Sequence, residues 1–122
     1  MAVITSKVVQ VPSLGAATIT ITGSGRYVSS SQNQLNAFVT INGVAYESGT
    51  QTVDVAVGDD ITLSVYGINN YDWGKGRIYI DGVEVLSGSG TYLEYTYTVT
   101  GNATIELYAP NDYYGQITVT TS

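Results

Sequence analysis

The sequence contains neither cysteine nor histidine among its 122 residues, and these two absences exclude several kinds of chemistry. Without cysteine the chain has no disulfide framework, no thiolate zinc site and no cysteine nucleophile. Without histidine it lacks the side chain that most often serves as a general acid or base at neutral pH and as a ligand of transition metals. No nucleophile elbow, P-loop or zinc-helix motif is present either. The sequence therefore predicts a protein that is not an enzyme, with no catalytic residues, no cofactor and no metal.

Positive charge is also scarce, because only Lys7, Arg26, Lys75 and Arg77 face ten acidic residues and the formal net charge is −6. Four cations are too few to neutralise a phosphate backbone, so we expect no nucleic-acid partner. Residues 1–7 lack the basic start and the apolar run of a secretory signal, and no later segment reaches membrane-spanning length. We expect synthesis in the cytoplasm without a signal peptide, and no membrane partner.

The acidic residues leave one metal alternative open, which is calcium. Asp59-Asp60 and Asn111-Asp112 are two adjacent pairs of oxygen-bearing side chains, and hard cations bind to several oxygens. Neither pair extends into the alternating acidic series of a dedicated calcium loop. Turn formation by Asp and Asn explains both pairs without a metal.

Short runs rich in Val, Ile, Thr and Tyr, with alternating apolar and polar residues, fill most of the chain. This period of two is typical of β-strands, and no window has the spacing of an amphipathic helix. Antiparallel strands packed in two layers are therefore predicted. The runs are Thr18 to Thr22, Leu35 to Ile41, Val53 to Val57, Ile61 to Tyr66, Arg77 to Ile80, Tyr92 to Val99, Ala103 to Tyr108 and Gln116 to Thr121.

Turn residues predict how these strands are connected. Asn42-Gly43 and Asp81-Gly82 each lie between two apolar runs, and both are preferred pairs for the type I′ turn of a β-hairpin. Gly58-Asp59 and Gly101-Asn102 mark two further reversals. Antiparallel hairpins, rather than βαβ units, are expected to make up the fold.

The two halves of the chain resemble each other around these hairpins, since Val39 to Val44 (VTINGV) matches Ile78 to Val83 (IYIDGV). Two hairpins with the same geometric requirement explain the match, and so does an ancient duplication. Both explanations predict an all-β, antiparallel β-sandwich built from two similar hairpin or meander halves that face each other.

Alternation also predicts which side chains form the core, because every second residue of a strand points to the same face. Burial of each such aliphatic side chain is worth about 1.5–3 kcal/mol. The predicted core comprises Ile19, Ile21, Leu35, Ala37, Val39, Ile41, Val53, Val55, Val57, Ile61, Leu63, Val65, Ile78, Ile80, Leu93, Tyr95, Tyr97, Val99, Ile105, Leu107, Ile117 and Val119.

Four aromatic residues lie in predicted loops rather than strands: Tyr71, Trp73, Tyr113 and Tyr114. Counting strand reversals places the loops at 67–76 and 109–115 at one end of the sandwich and the four tight turns at the other. Exposed rings gathered on loops can stack on sugars or anchor a protein interface. The alternative is that they fold back and cover the open end of the sandwich.

Residues 1–12 precede the main strand pattern, and the sandwich domain is predicted to span 13–122. Ile4, Val8, Val9 and Val11 make the first segment apolar and strand-forming. One interpretation is an anchor that adds as a strand to a neighbouring chain. The other is an ordinary first strand of the same domain.

The stretch from Val39 to Tyr66 resembles immunoglobulin-like domains of bacterial and phage structural proteins. The likeness lies in its Ile-Asn-Gly-Val turn, its Tyr-Glu-Ser-Gly segment and its Val-Gly-Asp-Asp-Ile-Thr-Leu run. The segment from Gly76 to Thr121 resembles the same kind of module. The chain lacks the cysteine pair and central-strand tryptophan of antibody domains.

This resemblance implies a non-enzymatic structural or accessory protein of a tailed-phage virion, such as a capsid decoration, head-fibre or tail-associated protein. Its implied partners are other virion proteins of the capsid or tail, and its implied location is the virion, after synthesis in the host cytoplasm. The alternative function is a carbohydrate-binding module that uses Tyr71, Trp73, Tyr113 and Tyr114 on host surface glycans.

Overall fold

A computed structural model describes residues 15–26, 35–67, 74–109 and 115–122 of the protein, and these residues form ten β-strands and no α-helix. Alternating β-branched and polar residues suit a pleated surface with one buried face, which explains the high strand content. The strands are β1 (Ala16–Ser24), β2 (Ala37–Ile41), β3 (Val44–Tyr46), β4 (Ser48–Ala56), β5 (Asp60–Gly67), β6 (Gly76–Ile80), β7 (Val83–Gly88), β8 (Gly90–Thr98), β9 (Ala103–Tyr108) and β10 (Gln116–Thr121).

The strands form two antiparallel sheets that pack face to face as a β-sandwich. One sheet has six strands in the order β4-β1-β10-β9-β6-β7, and the other has four in the order β3-β2-β5-β8. The predicted all-β antiparallel sandwich is confirmed, whereas its immunoglobulin-like character stays a prediction. The described residues form one sandwich, and the predicted boundary at residue 12 lies outside them.

Two strands of the structure have no counterpart among the predicted runs. They are β3 and β7, the second strands of the two hairpins, and β3 has only three residues. The start of β4 was also predicted too late, at Val53 instead of Ser48. Its polar first half lacks apolar alternation, and it is a strand because it pairs with β1 over nine consecutive positions.

Both predicted hairpin turns have the backbone conformation that their sequences favour. Asn42 and Gly43 have φ values of 51° and 80°, and Asp81 and Gly82 have values of 50° and 82°. Positive φ at both central residues is the requirement of a type I′ turn, whose twist matches that of the flanking strands. These turns place Ile41 opposite Val44 and Ile80 opposite Val83.

The two similar halves correspond to β2–β5 and β6–β9. In each, two strands form a hairpin, the third crosses to the opposite sheet, and the fourth returns beside the first. The strands β3-β2-β5 therefore lie in the four-stranded sheet, and β7-β6-β9 lie in the six-stranded sheet. The crossing strands are exchanged, because β4 forms an edge of the six-stranded sheet and β8 an edge of the four-stranded sheet. The repeat did not predict this exchange.

The core lies between the two sheets and agrees with the predicted alternation. Fully buried side chains come from both sheets, including Ile19 and Ile117 from one and Val39 and Leu63 from the other. Leu35 is the exception, because it is only half-buried and lies outside the core cluster. It precedes β2 in an isolated bridge with Arg26 at the end of the sandwich, so its prediction as a core residue was wrong.

Candidate functional site

The strand register gives the sandwich two different ends. At one end, Ser24 lies opposite both Gln116 and Ser48, and the Ala109 amide donates to the Gly115 carbonyl over 3.0 Å. This end, where β1 finishes and β2 and β10 begin, is called the loop end. The opposite end, called the turn end, carries the four tight turns at residues 42–43, 57–59, 81–82 and 99–102. The predicted separation of loops and turns is confirmed.

None of the residues predicted to form a site lies within the described part of the chain. This holds for the loop aromatics Tyr71, Trp73, Tyr113 and Tyr114. It also holds for the predicted attachment residues Ile4, Val8, Val9 and Val11. The structure does describe the residues that flank these segments. The flanks of 68–73 and 110–114 are at the loop end, and Gly15, which follows the first segment, is at the turn end.

Glycines at the loop end allow the two sheets to meet at very short backbone distances. A Cβ atom on Gly25 would lie well under 3.0 Å from the Ala37 carbonyl oxygen, and one on Gly67 would clash with the Gly88 carbonyl in the same way. A Cβ on Gly115 would lie 3.0 Å from the Gly25 backbone. The flanks of the loops are therefore fixed by backbone contacts that only glycine allows.

A third segment, 27–34, also begins and ends at the loop end. This segment was not predicted from the sequence as part of a site. Its flank Arg26 forms an ion pair with Glu47, which links β3 to β4, and the Arg26 Nη2 to Glu47 Oε1 distance is 2.7 Å. The Gly25 amide donates to the Glu47 carbonyl, also over 2.7 Å. The run of Ser, Gln and Asn in this segment indicates a loop, and the count of strand reversals could have placed that loop at this end.

An aromatic cluster that the sequence did not reveal lies on three adjacent strands of the four-stranded sheet. The Tyr92 ring lies 5.8 Å from the Phe38 ring and 5.5 Å from the Tyr66 ring, measured between centroids. Its hydroxyl donates to the Leu35 carbonyl at 2.5 Å, which ties the ring to the loop end. Tyr92 nevertheless remains 42% exposed. A ring fixed at both its edge and its hydroxyl, yet open to solvent, is suited to stacking on a flat ligand.

The outer face of the six-stranded sheet carries a second tyrosine arrangement with a different character. The Tyr108 hydroxyl donates to Glu106 Oε2 over 2.7 Å, and its ring packs edge-on against Tyr79 at 5.6 Å. This hydrogen bond, with burial and the nearby Glu106 charge, raises the pKa of Tyr108 to about 12. The phenol therefore stays protonated at neutral pH and acts as a structural donor.

Seven carboxylates of the described residues each accept a separate hydrogen bond. Asp59 accepts from the Ala56 amide over 3.0 Å, and Asp60 accepts from the Thr98 hydroxyl over 2.6 Å. Asp81 accepts from the Thr104 amide over 2.9 Å and so holds one hairpin turn against β9. Four others have partners of their own: Glu47, Asp54, Glu84 and Glu106. No two of these seven share a partner.

The calcium alternative gains no support from the described residues. Asp59 Oδ2 and Asp60 Oδ1 accept two separate bonds from different parts of the chain, and Asn111-Asp112 lies outside the described ranges. Within residues 15–26, 35–67, 74–109 and 115–122 no three acidic side chains are grouped closely enough to hold a metal ion. The same residues include no helix long and apolar enough to cross a membrane.

Comparison of the chain with protein-family models, with curated proteins and with solved structures finds no match. A function for the protein is therefore inferred from the geometry of its described residues and from the resemblance of its sequence.

Proposed function

We propose that the protein is a non-enzymatic structural or accessory component of a phage virion, a capsid decoration or a head- or tail-associated module of the immunoglobulin-like kind. The proposal that the protein is not an enzyme is supported by the described carboxylates, which accept separate hydrogen bonds from different partners. The virion assignment comes from the resemblance of residues Val39 to Tyr66. A rigid sandwich of this kind acts by occupying a place in an assembly.

Attachment through the N-terminal segment fits this role. Gly15 lies at the turn end, where its carbonyl accepts from the Val57 amide over 3.0 Å. An anchor that contains Ile4, Val8, Val9 and Val11 would therefore join the sandwich at the turn end. Strand addition to a neighbouring chain would satisfy the backbone groups of such an anchor.

Deletion of residues 2–11 tests the anchor directly. We expect the shortened protein to lose binding to virion particles while keeping the melting temperature of the full chain. If the deletion instead prevents folding, the segment is an ordinary strand of the domain and the anchor proposal is wrong.

The virion proposal is tested by a pull-down of the full chain against purified phage structural proteins at low and high salt. We expect a stable partner at a fixed copy number per particle, with contacts that tolerate salt, because four basic residues cannot support an interface built on cation pairs. The deletion of residues 2–11 is the matched control. Absence of a protein partner would contradict the proposal.

Carbohydrate binding is the second candidate, and the exposed Tyr92 ring favours it. Tyr92 is held beside the loop end, where the segments with Tyr71, Trp73, Tyr113 and Tyr114 begin and end. Fluorescence of Trp73, the only tryptophan, reports on this end during titration with cell-surface oligosaccharides. We expect Tyr92→Ala to weaken binding and Tyr79→Ala, on the other sheet, to leave it unchanged. A flat titration, or equal effects of the two variants, would rule the module out.

A further inference from the structure

The four edge strands of the sandwich differ in how well they are protected against pairing with another chain. An exposed edge usually carries a bulge, a charge or a proline, or is very short. Strand β3 has three residues. Strands β7 and β8 each show a register shift against their neighbour and carry Glu84 and Glu94 respectively. Three of the four edges thus have a recognisable protective device.

Strand β4 is the exception. Its nine residues pair with β1 in an unbroken register, from Ser24 opposite Ser48 to Ala16 opposite Ala56. It contains no proline and no lysine, and Asp54 is its only charged residue. Seven of its nine residues are exposed, and among the described residues no strand pairs with its outer edge.

The direction of the backbone groups of β4 follows from the bonds at its two ends. The Val57 amide donates to the Gly15 carbonyl, and the Glu47 carbonyl accepts from the Gly25 amide. Odd-numbered residues therefore direct their backbone groups toward β1. Because these groups alternate along an antiparallel strand, even-numbered residues direct theirs outward.

The outward groups at both ends of β4 already have partners within the chain. The Ser48 carbonyl accepts from the Gln51 side chain over 3.2 Å. The Ala56 amide donates to the Asp59 carboxylate, and the Ala56 carbonyl accepts from the Asp59 amide, both over 3.0 Å. Between these capped ends lies an open window of three residues: Thr50, Thr52 and Asp54.

This window is self-complementary. Two copies of β4 can lie antiparallel with the twofold axis at Thr52. Thr52 then faces Thr52 of the other copy, and the Thr50 of each copy faces the Asp54 of the other. Each of these three pairs exchanges two backbone hydrogen bonds, because all three residues point outward. A register centred on residue 51 would instead pair Asp54 of each copy with the capped Ser48 of the other, and one centred on residue 53 would pair Thr50 with the capped Ala56, so two pairs would be lost in either case.

The side chains repeat pairs that the molecule already makes with β1. There Thr18 lies opposite Asp54, Thr20 opposite Thr52 and Thr22 opposite Thr50. The Thr18 hydroxyl donates to Asp54 over 3.4 Å. A second β4 would place Thr50 opposite Asp54 and Thr52 opposite Thr52 on the same face. We propose that two copies of the protein pair edge to edge through β4 and join their six-stranded sheets into one continuous sheet.

Sedimentation or light scattering of the full chain over a range of concentrations tests the pairing. We expect the mass to double from 12.9 kDa as concentration rises. Dimerisation should also become stronger as ionic strength rises from low to physiological values. Each copy carries a net charge of −6, and salt screens the repulsion between the two copies. A monomer at every concentration and ionic strength would overturn the proposal.

Two substitutions at the centre of the window locate the interface. Thr52→Pro removes an amide that points away from β1, so the intramolecular ladder is kept while the central pair of intermolecular hydrogen bonds is lost. Thr52→Lys places two ammonium groups opposite each other at the twofold axis. We expect both variants to be monomeric. Thr120→Lys, on the same face but in the interior strand β10, adds the same charge and should still dimerise.

Amide hydrogen exchange separates a second copy from other occupants of the edge. Protection of the Thr50, Thr52 and Asp54 amides should increase with protein concentration in the wild-type chain and not in Thr52→Lys. Protection that is independent of concentration and disappears when residues 2–11 are deleted would show that the chain covers its own edge. That result, or a dimer unaffected by both Thr52 variants, would refute pairing through β4.

Discussion

The turn end and the loop end both depend on glycine, but for different physical reasons. At the turn end, Gly43 and Gly82 have positive φ, and a Cβ atom on either would meet nothing within 4 Å. At the loop end, a Cβ on Gly25 or Gly67 would run into a backbone carbonyl. At the turn end glycine is needed because it adopts positive φ, and at the loop end it is needed because a Cβ atom would not fit. Gly43 and Gly82 at the turn end can therefore be replaced by residues that accept positive φ, whereas Gly25 and Gly67 at the loop end have no room for any side chain.

The largest expected effect is at the loop end. Gly25→Ala forces the new Cβ against the Ala37 carbonyl, so β1 and β2 must separate. We expect the free energy of unfolding to fall by at least about 3 kcal/mol, the upper range for overpacking. Urea denaturation measures this loss, with Gly43→Ala as the matched control. Equal losses in the two variants would contradict a steric difference between the ends.

A smaller effect is expected at the turn end. Gly82→Ala has free space but must adopt a φ of +82°, at a cost of about 1–2 kcal/mol. Gly82→Asn should lose less, because asparagine tolerates this region better. Thermal denaturation of both variants compares these costs. If asparagine destabilises as strongly as alanine, conformation is not the reason for glycine at this turn.

Loss of the ion pair at the loop end should have a still smaller effect. Glu47→Gln keeps the shape of the side chain but removes its charge opposite Arg26, and partly exposed pairs of this kind contribute about 0–1 kcal/mol. We expect the amides of Gly25 and Ala37 to exchange faster while amides at the turn end are unchanged. Faster exchange at both ends would mean that the pair supports the whole sandwich.

High pH tests the hydrogen bond of Tyr108, which lies next to the loop end in β9. Its pKa is raised from 10.0 to about 12, so its contribution to stability is complete below pH 10 and is lost as pH rises through about 12. We expect the stability difference between the wild type and Tyr108→Phe to shrink over that interval. In Glu106→Gln, tyrosinate absorbance should show Tyr108 titrating closer to pH 10. An unchanged titration would remove Glu106 as the cause.

Local sequence was sufficient wherever the structure is decided by neighbouring residues. The Asn42-Gly43 and Asp81-Gly82 turns were predictable because both pairs favour positive φ, and the core followed from alternation along each strand. The polar half of β4 was not predictable, because Ser48 to Thr52 become a strand only through distant pairing with β1. The exchange of β4 and β8 between sheets depends on the same long-range pairing.

The end of the sandwich at which the candidate site lies was predictable from the sequence, but the residues that form its described aromatic cluster were not. Counting reversals placed the loops at 67–76 and 109–115 at one end without knowledge of any contact. The Tyr92 cluster was missed because Phe38, Tyr66 and Tyr92 belong to three strands that are adjacent only in the folded sheet. A solvent-facing tyrosine in a strand looks the same in sequence whether or not other rings support it.

The pairing of β1 with β10 inside the six-stranded sheet also determines when the molecule can finish folding. Ile19 lies opposite Thr121, so the first and last described strands must meet before that sheet is complete. Contacts this far apart in sequence make folding slow compared with a fold of local hairpins. During synthesis, β1 and β9 each lack their shared neighbour until β10 has left the ribosome. A chain that stops before Gln116 would expose both strands as open edges, and we expect it to aggregate rather than to remain as a smaller soluble domain.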